Sequence, residues 1–246
     1  MKTTLLSLVL LLIASAGAQG LERAEELLSA AQRFTVSSLV RTFDVTATKK
    51  VYFIEEVVER SRKVVDVGRQ RLYVNFDDED TKFTLRLADG LTSLEMGGRT
   101  TLSPGAFWER IAEEILAQPE RGFGVIPKDY TVVSYDGFKR YGDFAEGEQV
   151  TLRYTTPLYE QLETKFVFDV LGKPVAAIVD DGFLSDDDLI LYDITTASDG
   201  SQMTVKTKIY MSWEEEGFLL SDEHQHYLFN QPVDQFLFVI GNNRRL

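Results

Sequence analysis

The chain has 246 residues, a formal net charge of −13 and no cysteine. The acidity argues against binding to nucleic acid and against electrostatic attachment to anionic lipid surfaces, because both carry negative charge themselves. Without cysteine no disulfide can form, so the fold must be stabilised by a hydrophobic core.

The first residues predict an export signal. Met1 and Lys2 give a positive start, residues 5–14 form an apolar run, and Ala16-Gly17-Ala18 is a small-residue cleavage pattern. The run is shorter than the about 20 apolar residues that a membrane anchor needs. We therefore predict a signal peptide over residues 1–18, and a single periplasmic or secreted domain over residues 19–246 that is not an integral membrane protein.

The first part of the mature chain combines one helix with several strands. Apolar residues at helical spacing predict an amphipathic helix over residues 21–34. The stretch 51–67 fits either a helix or a long strand, and we favour a strand. Alternating apolar residues predict further strands over residues 41–47, 72–76, 83–87 and 94–96.

A second helix and a long series of strands complete the pattern. Ser103 is a candidate N-cap, Pro104 fits the first helical position, and Trp108, Ile111 and Ile115 form an apolar stripe. The later strand patterns cover residues 130–135, 149–155, 163–170, 174–179, 189–195, 202–213 and 219–229. The sequence thus predicts an α+β fold that is dominated by one large antiparallel sheet.

Motifs for catalysis or cofactor binding are sparse. His224 and His226 share one face of a predicted strand, but no third metal ligand is apparent and we interpret them as exposed. The acidic runs 77–80 and 186–188 do not fit a calcium loop, and turns are the favoured interpretation. We expect no catalytic residue, no metal and no cofactor.

Three segments, residues 71–76, 82–90 and 94–96, resemble the early sheet of the LolA-like periplasmic lipoprotein carriers. Leu72-Tyr73-Val74 occupies the place of that family's Leu-aromatic-Val strand, and residues 87–90 occupy the place of its strand with a terminal Asp-Gly turn. Residues 168–174 are similar to a hairpin in the family's second half. The resemblance implies an open half-barrel, made of a large curved antiparallel sheet, with a helical lid.

The chain also departs from the carrier pattern. Phe76 and Asp77 stand where the carriers commonly have an arginine and a proline, so the arginine that helps to control lid and cargo has no counterpart. The sequence also continues through residues 202–229, beyond the carrier layout. The resemblance therefore supports the fold more strongly than it supports a lipoprotein cargo.

The function implied by the resemblance is that of a non-enzymatic carrier or binding protein for a lipid or an acylated lipoprotein, with envelope proteins as donor or acceptor. The expected apolar lining is Phe43, Val45, Leu72, Val74, Phe76, Phe83, Leu85, Phe166 and Phe168. The expected lid residues are Trp108, Ile111 and Ile115. Two alternatives stay open: an envelope interaction or sensor module without lipid cargo, and a secreted hydrolase that uses clustered carboxylates.

Overall fold

A computed structural model describes residues 20–31, 40–52, 56–78, 80–117, 126, 130–154, 162–179, 188–211 and 217–240. The chain divides into two compact units. The first unit comprises Met1–Thr35, Val125–Tyr192 and Ile209–Phe218, and the second comprises Val36–Gly124, Asp193–Lys208 and Leu219–Leu246. The predicted signal peptide lies outside the described residues, and the prediction of a single domain stays a prediction.

The described elements are two α-helices, one short 3-10 helix and a series of strands. Helix α1 covers residues 20–31, helix α2 covers Ala106–Ala117, and the 3-10 helix covers Gln235–Phe238. The strands are β1 Thr42–Val51, β2 Val57–Asp66, β3 Arg71–Asp77, β4 Lys82–Ala88, β5 Leu91–Met96, β6 Arg99–Leu102, β7 Tyr130–Tyr141, β8 Ala145–Tyr154, β9 Leu162–Phe168, β10 Pro174–Val179, β11 Asp188–Thr196, β12 Gln202–Met211 and β13 Phe218–Phe229.

The strands form one 13-stranded sheet with the order β6-β5-β4-β3-β2-β1-β13-β12-β11-β10-β9-β8-β7. Strands β6 and β7 are the two ends of this order, so the sheet is open. The pairings from β1 to β6 and from β7 to β11 are antiparallel, as is the pairing of β1 with β13. The predicted α+β class with one large antiparallel sheet is confirmed.

Several local predictions differ from the structure. Strand β6 has no counterpart among the predictions, and β7 continues to Tyr141, beyond the predicted end at Tyr135. Helix α2 begins at Ala106 and not at Pro104, because Ser103 and Gly105 adopt φ angles of 48° and 109°, which are not helical. The carbonyl of Gly105 accepts the first helical hydrogen bond, from the Glu109 N–H at 3.1 Å.

In the first unit, helix α1 lies against one face of β8 and beside the turn between β9 and β10. Its inner side buries Ala24, Leu27, Leu28 and Ala31. The Arg23 guanidinium donates two hydrogen bonds to the Glu148 carboxylate, at 2.9 and 2.5 Å, and the Tyr135 hydroxyl donates a third at 2.5 Å. These bonds attach α1 to the side of β8 that faces it.

The opposite face of β9, together with β10 and β11, carries a separate core of the first unit. Val167, Ala176, Ile178 and Leu189 are at most 2% exposed, and Phe144 and Tyr210 lie against them with ring centroids 4.8 Å apart. Gly147 is a point of close approach in this region. A Cβ atom at Gly147 would overlap the Phe168 carbonyl oxygen and lie 2.9 Å from its carbonyl carbon.

The close approach at Gly147 predicts that Gly147→Ala destabilises the protein. The added methyl group meets backbone atoms, which cannot rotate away, so we expect the free energy of unfolding to fall by about 1–3 kcal/mol. The midpoint of urea unfolding measures this loss. Gly68→Ala is the control, because the nearest atom to its Cβ would be Asp66 Oδ1 at an ordinary 3.6 Å. Equal midpoints for the two variants would contradict the prediction.

The attachment of α1 predicts a pH-dependent contribution to stability. The hydrogen bonds from Arg23, with a smaller effect from Tyr135, lower the pKa of the Glu148 carboxyl below its ordinary value. A lowered folded-state pKa stabilises the fold above the ordinary carboxyl pKa of about 4.3, and the contribution is lost as the pH falls through the folded-state value. Glu148→Gln should therefore lower the free energy of unfolding at pH 7, by about 1–2 kcal/mol.

Urea unfolding at several pH values between 7 and 3 measures the difference between wild type and Glu148→Gln, which should shrink as the solution becomes acidic. Glu26→Gln is the matched control, since Glu26 also pairs with Arg23 at 2.8 Å but its side chain is 60% exposed. An exposed pair contributes at most about 0.5 kcal/mol. A difference that stays constant with pH would contradict the assignment.

Candidate functional site

One face of β13 and β1–β5 in the second unit is largely apolar. Residues directly opposite each other in an antiparallel pair place their side chains on the same face, so the registers define three rows across the strands. We call these rows the apolar face. The first row is Phe229, Phe43, Val65, Leu72 and Leu87; the second is Tyr227, Val45, Lys63, Val74, Leu85 and Leu94; the third is Gln225, Ala47, Ser61, Phe76, Phe83 and Met96.

The registers bring seven of the nine predicted lining residues together on the apolar face. These are Phe43, Val45, Leu72, Val74, Phe76, Phe83 and Leu85. Phe166 and Phe168 belong to the first unit, where both are at most 2% exposed on β9. Phe168 lies opposite Glu148 in the register, on the face that α1 covers.

Helix α2 packs on the apolar face over β3, β4 and β5. The Trp108 and Phe83 ring centroids are 5.2 Å apart, and Phe83 in turn stacks on Phe76 at 5.3 Å. Ile111 and Ile115 are half-buried beside Trp108. The three predicted lid residues therefore share the inner side of α2 with the more deeply buried Ala112 and Leu116.

Burial is uneven across the apolar face. Phe43, Leu72 and Leu85 are at most 2% exposed, so this part of the face is buried. Val74, Phe76, Phe83 and Trp108 are half-buried, so the accessible part of the face lies on β3 and β4 beside α2. This part offers aliphatic and aromatic surface to a hydrocarbon ligand.

A small cavity of about 370 Å³ lies between α2 and the β4–β5 hairpin. It is lined by Leu87, Thr92, Glu109, Glu113 and Leu116, among others. Ligand pockets have volumes of about 300–1,000 Å³, so the space beside α2 is of the size that accepts part of a ligand. Glu109 and Glu113 add two carboxyl groups to its lining.

Polar groups interrupt the apolar face around Lys63, a residue that was not predicted to lie there. Lys63 stands between Val45 and Val74 in the second row. Burial lowers the pKa of the Lys63 ammonium to about 7, against the attraction of Glu223, which raises it. Along β13, Tyr227 donates a hydrogen bond to the Gln225 side-chain oxygen, and Gln225 donates to Glu223 at 2.8 Å. In the sequence, only the alternation of side chains along residues 61–65 indicates that Lys63 shares a face with Val65.

The other candidate groups do not converge on a reactive site. His224 and His226 lie on the opposite face of β13 from the apolar face, both exposed, as predicted. Among the described residues, no group of three or more His, Cys, Asp or Glu side chains could hold a metal ion. Asp78 accepts a hydrogen bond from the Asp80 N–H at 2.8 Å, which fits the predicted turn. Asp186 and Asp187 lie outside the described residues.

Comparison with known proteins finds solved structures of low sequence identity. No family model and no curated protein matches the sequence. A LolA superfamily protein from Nitrosomonas europaea is similar in structure, with a TM-score of 0.47, 9% identity, and coverage of 88% of this chain and 97% of that chain. An uncharacterized conserved protein from Thermus thermophilus has a TM-score of 0.35, 10% identity, and coverage of 90% and 96%.

Within the part of the chain that the structure describes, no helix is long and apolar enough to span a membrane.

The contact between Trp108 and Phe83 predicts that Trp108→Ala loosens α2. The variant loses a half-buried aromatic contact, and we expect the free energy of unfolding to fall by about 2 kcal/mol. Amide hydrogen exchange in α2 should accelerate more than exchange in β1 and β2. Phe107→Ala is the control, since Phe107 neighbours Trp108 but is 60% exposed. Equal exchange in α2 for the two variants would show that Trp108 does not hold the helix.

Proposed function

We propose that this protein is a non-enzymatic carrier or binding protein for a lipid or an acylated lipoprotein, and that it holds acyl chains on the apolar face. The observation that supports the proposal is the convergence of seven predicted lining residues on one face of adjacent strands. Val74, Phe76 and Phe83 leave part of that face half-exposed beneath α2. Contiguous accessible apolar surface of this kind is typical of a binding site.

The physical basis is the cost of exposing hydrocarbon to water. Burial of an acyl chain contributes about 0.8 kcal/mol per methylene, so a chain of about 16 carbons gains on the order of 10 kcal/mol. A protein surface that removes this chain from water makes its transfer between membranes feasible. The predicted signal peptide supports a role outside the cytoplasm, in the periplasm or beyond the cell.

Helix α2 is the proposed lid over this site. Trp108, Ile111 and Ile115 lie on its inner side, and the Trp108 ring contacts the Phe83 ring. A ligand that reaches Phe76 and Phe83 has to replace this contact, so binding is coupled to movement of α2. Phe166 and Phe168, the two lining residues of the first unit, would contact a ligand only after α1 had left its face.

A titration with an uncharged fluorescent acyl probe tests this function. Methyl parinarate, whose fluorescence rises in apolar surroundings, should bind the wild-type protein saturably. Phe76→Glu places a charge on the accessible part of the face and should weaken binding at least about tenfold, because a carboxylate is costly to bury beside hydrocarbon. The melting temperature of each variant shows whether it is folded.

Val170→Glu is the matched control for this experiment. Val170 is 86% exposed in the turn between β9 and β10, so its replacement also removes an apolar surface residue but leaves the apolar face intact. We expect its affinity to equal that of the wild type. If the wild-type protein fails to bind the probe, or if the two variants bind it equally, the apolar face is not a site for acyl chains.

A further inference from the structure

Another cavity, of about 440 Å³, lies in the second unit between residues 235–240 and the ends of β3, β4 and β5. Leu72 belongs to the apolar face and side chains alternate along a strand, so the neighbouring Arg71 stands on the opposite face. The cavity is therefore separate from the proposed site for acyl chains. Its lining combines the polar side chains of Arg71, Asp89 and Gln235 with the hydrocarbon of Ala88, Leu91, Phe238, Val239 and Ile240.

The Arg71 guanidinium in the wall of this cavity is only partly hydrogen-bonded. Its Nη1 donates to the Gln235 side-chain oxygen at 3.0 Å, and its Nη2 donates to Asp89 Oδ1 at 3.3 Å. Its Nε is buried and has no hydrogen-bond partner among the described residues. A buried N–H group without an acceptor destabilises a fold, so native proteins rarely keep one unless water, an ion or a ligand pairs with it.

Other arginines of the chain show which group satisfies the same edge of a guanidinium. Nε and Nη2 of Arg62 donate to the two carboxylate oxygens of Asp44, at 3.0 and 2.7 Å. Nε and Nη2 of Arg23 donate to the two oxygens of Glu148, at 2.9 and 2.5 Å. A carboxylate fits this edge because its two oxygens face the two N–H groups. The edge of Arg71 therefore has the donor geometry for a carboxylate that reaches both Nε and Nη2.

The charges beside the cavity favour an anion there. Arg69 also donates to the Gln235 side-chain oxygen, at 2.6 Å, so two guanidinium groups meet at one neutral acceptor that does not cancel their repulsion. Asp66 Oδ2 lies 4.0 Å from Arg69 Nε, and Asp89, the carboxylate beside Arg71, has a side chain that is 83% exposed. An exposed ion pair contributes little to stability, so a ligand carboxylate can replace Asp89 on Arg71.

We infer that this cavity binds a small carboxylate that carries a hydrocarbon group, with its two oxygens on Arg71 Nε and Nη2. Ligand pockets have volumes of about 300–1,000 Å³ and combine an apolar lining with a few polar groups, as this cavity does. The hydrocarbon group contacts the apolar part of the lining, which favours an organic acid over inorganic phosphate. The inference is independent of the proposed function, because the acyl site lies on the opposite face of the strands.

Isothermal titration calorimetry with hexanoate and hexan-1-ol tests the inference, since the two probes have the same chain length and differ in charge. The wild-type protein should bind hexanoate saturably and at least about tenfold more tightly than the alcohol, the effect of charge-assisted hydrogen bonds. Arg71→Met keeps an apolar stem and removes the guanidinium, so it should bind both probes equally. Phe76→Glu should keep the preference for hexanoate, because Phe76 lies on the apolar face.

Gln235→Glu is a second variant, which tests the site without removing a side chain from it. The new carboxylate has the shape of the amide and stands between the guanidinium groups of Arg69 and Arg71. It should therefore weaken hexanoate binding at least about tenfold while it raises the melting temperature.

Arg62→Met is the matched control, because Arg62 stands on the same face of the strands as Arg71 but its Nε and Nη2 already donate to Asp44. It should keep the preference for hexanoate. A preference that persists in Arg71→Met, unchanged affinity in Gln235→Glu, tighter binding of inorganic phosphate than of hexanoate, or failure of the wild-type protein to bind hexanoate overturns the inference. Each of these results leaves the proposed function standing, since methyl parinarate tests that function separately.

Discussion

The apolar face exists because of the register between neighbouring strands. Phe43 lies opposite Val65, and Val65 lies opposite Leu72, so three strands place their apolar side chains on the same side. A shift of one residue in β2 would move Lys63 and Val65 to the other face and bring Arg62 and Val64 in their place. The tight turn at Asp89-Gly90, where both residues adopt positive φ angles, fixes the register of β4 and β5 in the same way.

The aromatic contacts of α2 and the ion pair of α1 are two different ways of attaching a helix to strands. Trp108 contacts Phe83 through ring surfaces that are only half-buried, whereas Arg23 donates directional hydrogen bonds to Glu148. Ring contacts can be exchanged for contacts with another apolar molecule at little cost, but the charged hydrogen bonds have no such substitute. This difference is the reason that we propose α2, and not α1, as the lid.

Much of this architecture could be predicted from the sequence, because alternation reports directly on which side chains share a face. The alternation of Leu72, Val74 and Phe76 predicted both a strand and its apolar side correctly. Strand β6 was missed because Arg99-Thr100-Thr101-Leu102 has no alternation of apolar and polar residues. The start of α2 was misplaced because the φ angle of Gly105 is a property of the folded turn, which composition does not reveal.

The candidate site was less predictable than the strands. Phe166 alternates with its neighbours as Phe83 does, yet it is buried in the first unit, because periodicity does not report which helix covers a face. The position of Lys63 on the apolar face was not predicted, because a lysine in a strand usually indicates the solvated face. Only the pairing of β2 with both neighbours showed that this residue stands among valines.

Arg23 lies in the first turns of α1, where it holds the helix to Glu148. Gly20 lies close to the Tyr135 ring, whose Cδ1 would be 3.5 Å from a Cβ atom there, and Arg23 follows three residues later. An exopeptidase that trimmed a handful of residues beyond the predicted cleavage point would remove the guanidinium that fastens α1. If the predicted signal peptide is removed, trimming past Arg23 would release α1 from Glu148.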